Sequence, residues 1–158
     1  MLLADFTKVK LQSFLPKIDS LGLGGSLSGH LDFVQKGGDY TPEGFLTVKD
    51  FEVNEFKQGD LSINVKGKNS YKKYEVAVAI ENEDAKSISA KGILDFSSER
   101  PIIDLNVFLE AFQLEAFSPL GKNVLSSLRG TATGDFTLRG FLGNPDMEGE
   151  LRLKKAGL

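Results

Sequence analysis

LRGTATGDFTLRGFLGNPDMEGELRLKKAGL, residues 128–158, is the stretch from which the fold can be read. Gly130, Gly134, Gly140, Gly143 and Gly149 punctuate it, and short runs between them alternate apolar with polar residues. In Asp135-Phe136-Thr137-Leu138-Arg139 the two large apolar side chains fall on one face, and Glu150-Leu151-Arg152-Leu153-Lys154 repeats the arrangement. Period-two alternation over such runs predicts half-buried antiparallel strands. Gly143-Asn144-Pro145-Asp146 supplies a turn, because Asn and Asp tolerate tight backbone angles and Pro fixes one of them. The stretch predicts a β-hairpin.

A second copy stands earlier in the chain. Gly25, Gly29 and Gly44 are spaced by 4 and then 15 residues, as are Gly130, Gly134 and Gly149. At an offset of 105, Leu23, Gly25, Gly29, Gly38, Glu43, Gly44, Leu46 and Lys49 meet identical residues. Upstream, at an offset of 103, Phe6, Val9, Leu11, Phe14 and Pro16 parallel Leu109, Phe112, Leu114, Phe117 and Pro119. Self-similarity at a fixed period sets the expected architecture before any other motif. Partial repeat 1 covers about 6–105 and partial repeat 2 about 109–158, so 1–158 is expected to be a single fragment of a longer repetitive protein.

Between the copies the alternation continues. Residues 6–11, 26–34 and 44–49 read as strands, followed by Leu61-Ile63-Val65, Val76-Val78-Ile80, the run from Ile88 to Phe96, and Ile103-Leu105-Val107-Leu109. Val48 to Phe51 breaks the parity, and Leu153 to Ala156 breaks it at the equivalent place, which predicts a β-bulge in each copy. Pro16 to Leu21 and Ser118 to Leu128 suit short helices: each has Pro near the first helical position, and Leu120, Val124 and Leu128 share one face. The sum is an all-β fold: an elongated, curled antiparallel meander of nine or ten strands with an apolar interior groove and one short helix per repeat. The same apolar side chains also suit a closed two-sheet core, and periodicity leaves that choice open.

At 158 residues the chain is one domain's length. A net charge of -3 and no basic stripe argue against nucleic acid as a partner. Without cysteine there is no disulfide, thiolate metal site or cysteine nucleophile. No apolar run approaches the length of a membrane-spanning helix, so any anchor or export signal is expected outside this window. The single histidine, His30, lies on the polar parity of its strand, and Glu81, Glu83 and Asp84 lack the spacing of a calcium loop. The glycines of residues 22–25 open a strand, where a phosphate cradle needs a helix N-terminus. No catalytic constellation, metal set or cofactor motif emerges, and the chain does not read as an enzyme.

The spacing Leu128-x-Gly130-x3-Gly134-x-Phe136-x-Leu138-x-Gly140-x-Leu142-x-Asn144-Pro145-x-Met147-x-Gly149-x-Leu151-x-Leu153 resembles the repeat of the TamB family, within the AsmA-like group of bacterial envelope proteins. Leu105-x-Val107-x-Leu109-x2-Phe112-x-Leu114-x2-Phe117-x-Pro119-Leu120 also looks like that family's approach to the repeat. The first copy departs from it, with Tyr40-Thr41-Pro42-Glu43 where the second has Pro145-Asp146-Met147-Glu148. The resemblance implies a β-taco, a sheet folded along its length with an apolar groove. It also implies a periplasmic location in a Gram-negative cell envelope and a link, through a longer parent protein, to an outer-membrane barrel of the TamA/BamA type. The implied work is transport or shielding of phospholipid acyl chains between inner and outer membranes, in support of outer-membrane biogenesis. An alternative is a β-strand-binding scaffold for assembly or secretion of outer-membrane proteins and autotransporters. The candidate groove residues are Leu31, Phe33, Leu46, Val48, Leu61, Ile63, Val65, Val76, Val78, Ile80, Leu94, Phe96, Ile103, Leu105, Val107, Phe136, Leu138, Leu151 and Leu153.

Overall fold

The computed structural model describes residues 2–13, 22–68, 72–83, 86–115 and 129–157. Alternating sequence becomes nine strands: β1 (Leu2–Lys10), β2 (Leu23–Lys36), β3 (Asp39–Val53), β4 (Phe56–Gly67), β5 (Lys73–Glu81), β6 (Lys86–Asp95), β7 (Ile102–Gln113), β8 (Arg129–Phe141) and β9 (Asn144–Gly157). They form one sheet in chain order, each strand antiparallel to the next. The meander is curled and not closed into a barrel. Among the described residues there is no second sheet, which sets aside the two-sheet sandwich. A 3-10 turn is formed by Leu11–Ser13; the helices expected over 16–21 and 118–128 lie outside the described residues.

Several strands run longer than their alternating cores. β2 extends 26–34 to Leu23–Lys36, and β3 extends 44–49 to Asp39–Val53. Glycines and parity breaks interrupt the pattern without ending the ladder.

The repeat is one of register as well as sequence. Ser26↔Lys49, Gly29↔Leu46 and Leu31↔Gly44 recur as Thr131↔Lys154, Gly134↔Leu151 and Phe136↔Gly149. Phe6↔Gly29 and Val9↔Leu27 recur as Leu109↔Gly134 and Phe112↔Ala132. The predicted bulge is present: pairing slips between Val48 and Phe51, and Asp50 takes a left-handed φ of 51°. Its counterpart Lys155 has φ 53°, and Lys8 (49°) and Ala111 (47°) mark equivalent slips in β1 and β7. Gly29 and Gly134 are fixed by close approach. A Cβ at either would stand under 3.0 Å from a main-chain carbonyl oxygen of the next strand, that of Phe45 or of Glu150. Their φ angles of 138° and 151° also lie where side chains are disfavoured.

Buried side chains gather on one face, toward the bulged end of the sheet. Leu11, Leu27, Val48, Phe51, Val53 and Ile80 form one cluster; Ala90, Val107, Leu109, Phe112 and Ala132 form another. Half-buried Ile88 packs against both. Each large side chain so buried contributes roughly 1.5–3 kcal/mol. The buried polar groups are satisfied: Thr41 Oγ1 donates to the Val34 carbonyl (3.2 Å), Ser87 Oγ to that of Ile80 (3.3 Å) and Gln58 Nε2 to that of Phe56 (3.1 Å).

Candidate functional site: the apolar face

Because neighbouring strands pair residue to residue, the apolar positions line up in rows across the sheet. One row runs Val9, Leu27, Val48, Leu61, Ile80, Ile88, Leu109, Gly134, Leu151. The next runs Phe6, Gly29, Leu46, Ile63, Val78, Ala90, Val107, Phe136, Gly149. A third runs Ala4, Leu31, Gly44, Val65, Val76, Gly92, Leu105, Leu138, Met147. No row contains a polar side chain. With strands about 4.8 Å apart, eight steps give an apolar path on the order of 38 Å in contour.

The structure brings the expected lining residues together on this face, with unequal exposure. Val48, Ile80, Ile103 and Val107 are buried and act as core. Leu31, Phe33, Leu46, Leu61, Ile63, Val65, Val76, Val78, Leu94, Leu105, Phe136 and Leu138 are half-buried, each offering part of its surface to solvent. Leu151 (41%) and Leu153 (56%) are exposed on β9, where Met147 joins them at 63%. Phe96, also exposed, follows β6 and meets the Tyr74 ring at a centroid distance of 5.8 Å. Phe6, Val9, Leu27, Phe51, Ile88, Leu109, Phe112 and Met147 were not among the expected lining residues. Leu27, Ile88 and Leu109 share strand parity with residues that were, so counting by twos to the end of each run finds them. Phe51 and Phe112 return to this face only because a bulge precedes each.

The opposite face is mainly polar, with exposed Phe45, Ile102, Phe108 and Phe141 set among its charges, and is laced by cross-strand ion pairs. Arg139 Nε donates to Asp104 Oδ1 at 3.1 Å, Lys68 Nζ lies 3.2 Å from Glu75, and Lys73 Nζ lies 3.5 Å from Asp95. Exposed pairs of this kind add little to stability, because water and salt screen both charges. At the bulged rim the Lys49 ammonium donates to Asp60, a bond that lowers the Asp60 pKa below the usual aspartate value and raises that of Lys49. Asp95 is also held low, chiefly by hydrogen bonds from Ser97. Twist makes a sheet saddle-shaped, hollow along one diagonal on each face. A hollow of about 690 Å³ on the polar face has His30, Phe45, Lys66, Glu75 and Lys91 around it and the backbone of Gly44 and Gly92 in its wall. His30 is exposed there, paired in register with Asp5 and Phe45.

Among the described residues, no group of three or more His, Asp or Glu is placed to hold a metal ion, and no helix is long and apolar enough to cross a membrane. What the arrangement offers chemically is an unbroken apolar surface backed by a hydrated one. No family model, curated protein or solved structure matches the chain.

Proposed function

We propose that this chain is a segment of a TamB-like envelope protein whose apolar face shields phospholipid acyl chains in transit between the inner and outer membranes. One observation carries the reading: three adjacent rows cross the sheet from β1 to β9 without a polar side chain, and most of their members remain only half-buried. A closed core would bury them; a surface meant for water would interrupt them. Each methylene an acyl chain lays against such a surface gains about 0.8 kcal/mol, so roughly ten offset several kcal/mol of ordering cost. Because no row holds a charge, no position along the path favours stopping. The periplasm and a partner barrel of the outer membrane follow from the family resemblance.

The test is lipid content. Purified protein is extracted and its lipids identified by mass spectrometry, in parallel with labelling by a phospholipid carrying a photoreactive acyl chain. Labelling is expected at Ile63, Val65, Val76 and Val78, and is expected to fall at least several-fold in the Ile63→Asp/Val78→Asp double variant. Protein free of lipid that also takes no label, or label confined to the polar face, refutes the proposal.

A further inference from the structure

One corner of the sheet departs from the division into an apolar and a hydrated face. Phe96, Ile102, Phe141 and Leu142, each between 40% and 43% exposed, lie where the β6–β7 and β8–β9 turns stand side by side. Ile102 pairs with Phe141, and the ladder runs one step further, the Leu142 N–H donating to the Pro101 carbonyl at 2.9 Å. Ile102 and Phe141 hold the parity of the hydrated face. Leu142 holds that of Leu138 and Gly140, and Phe96 that of Leu94, so these two belong to the apolar side. The corner is apolar on both sides of the sheet.

The repeat does not account for it. Two-residue hairpin turns usually take Asn, Asp or Gly. At an offset of 105, Phe141-Leu142-Gly143 stands where the first copy has Lys36-Gly37-Gly38, so the apolar turn belongs to the second copy alone. Cations border it. The Arg100 guanidinium lies 3.6 Å over the Phe141 ring, and Arg139 and Lys73 are held alongside by Asp104 and Asp95. The β6–β7 turn is ordered by its own hydrogen bonds, Ser97 N–H to Asp95 Oδ1 at 2.9 Å and Ser98 Oγ to the Arg100 carbonyl at 2.7 Å. The opposite ends of β3, β4 and β5 are acidic, with Asp50, Glu52, Glu55, Asp60, Glu81 and Glu83 outnumbering Lys49 and Lys57.

We propose that this corner is a membrane-contact site, at which Phe96, Ile102, Phe141 and Leu142 enter the headgroup–acyl boundary of a bilayer and Arg100 meets the lipid phosphates. Exposure on both sides of the sheet selects this occupant. A protein seated against a sheet covers one face, whereas a bilayer surrounds whatever enters it. Buried apolar area supplies the affinity, and an aromatic ring beside a cation suits the interface, where one end is apolar and the other wet. The acidic strand ends set the orientation, because anionic lipid repels them. The contact does not rest on the acyl-chain reading of the open face, and either can fail alone.

The chain has no tryptophan, so Leu142→Trp and Phe56→Trp each carry a single reporter, the second at the acidic end. The probe is a vesicle of phosphatidylethanolamine and phosphatidylglycerol. Leu142→Trp emission is expected to shift to the blue and to be quenched by brominated acyl chains, while Phe56→Trp emission stays unchanged. Sedimentation with vesicles is expected to weaken about tenfold or more in Ile102→Asp/Leu142→Asp, with the circular dichroism of the parent, and to persist in Ile63→Asp/Val78→Asp. Protein that stays in the supernatant, equal sedimentation of Ile102→Asp/Leu142→Asp, or a shift at Phe56→Trp in place of Leu142→Trp each overturns the proposal. So does binding lost only in Ile63→Asp/Val78→Asp, which is uptake into the apolar face, or a blue shift of Leu142→Trp that grows with protein concentration without vesicles, which is self-association.

Discussion

Replacing Gly29 with Ala tests whether close approach of β2 and β3 is what requires glycine there. A Cβ at this position would fall under 3.0 Å from both the Phe45 carbonyl oxygen and the Leu46 Cα, neither of which can swing aside as a flexible side chain would. The φ of 138° adds a conformational cost on the order of 1–3 kcal/mol for a residue bearing a side chain. Forcing a methyl group into occupied space adds about 1–3 kcal/mol more. The expected loss is therefore about 2–6 kcal/mol, or roughly 4–24 °C in Tm for a domain of this size. Gly37 is the internal control. It sits in the β2–β3 turn with φ 60° and nothing within 4 Å of where a methyl group would stand, so Gly37→Ala bears only the left-handed cost of about 1–2 kcal/mol. Gly134→Ala, at the repeat-equivalent site with the Glu150 carbonyl oxygen in the way, is expected to match Gly29→Ala within about 1 kcal/mol. Urea unfolding followed by circular dichroism measures all three. If Gly29→Ala and Gly37→Ala cost the same within about 0.5 kcal/mol, or Gly134→Ala is neutral, the close approach is not what selects glycine.

Val48→Ala, at the most buried apolar position, should cost about 2 kcal/mol in the same assay, while Leu153→Ala at the equivalent exposed position should cost under about 0.5 kcal/mol. Thr133→Val removes the acceptor of the Ala111 amide; because that site is exposed, water compensates and the loss should be about 0.5–1 kcal/mol, with faster hydrogen exchange at Ala111 as the direct readout. The Lys49–Asp60 pair lowers the Asp60 pKa, so its contribution is present above the ordinary aspartate value near 3.9 and is lost as pH falls through the lowered one. Asp60→Asn should flatten the acid limb of the stability–pH profile while changing stability near neutrality only slightly, because both partners are solvent-exposed; an unchanged acid limb would count against the pair.

Strand identity, chain order and the polar-versus-apolar faces were legible because period two survives in nearly every strand and the 105-residue offset aligns two copies. The bulge at residues 48–51 was legible for the same reason, since two parity breaks at equivalent places are not noise. Openness was not. Ile63 and Val78 have the same parity whether a second sheet covers them or not, and only the single-sheet topology separates the cases. Exposure along a row was not legible either. Leu46 and Leu151 are identical residues in equivalent registers, yet one is half-buried and the other exposed, because Leu46 lies between β2 and β4 whereas, among the described residues, Leu151 is flanked by β8 alone.

The bulges explain how one face stays apolar to the rim. In uninterrupted period two, a residue three positions on points to the opposite side. Phe6 and Val9, Val48 and Phe51, and Leu109 and Phe112 are each three apart, and each pair shares the apolar face because a left-handed residue intervenes. Without Lys8, Asp50 and Ala111 in that conformation, Val9, Phe51 and Phe112 would point into the hydrated face. The lysines and acids beside them would then enter the core. The parity break that looks like a defect in the sequence is thus what lets Leu11, Phe51, Val53 and Phe112 seal the bulged rim. The half-buried rows beyond it remain the open part of the face, and the lipid proposal rests on those rows.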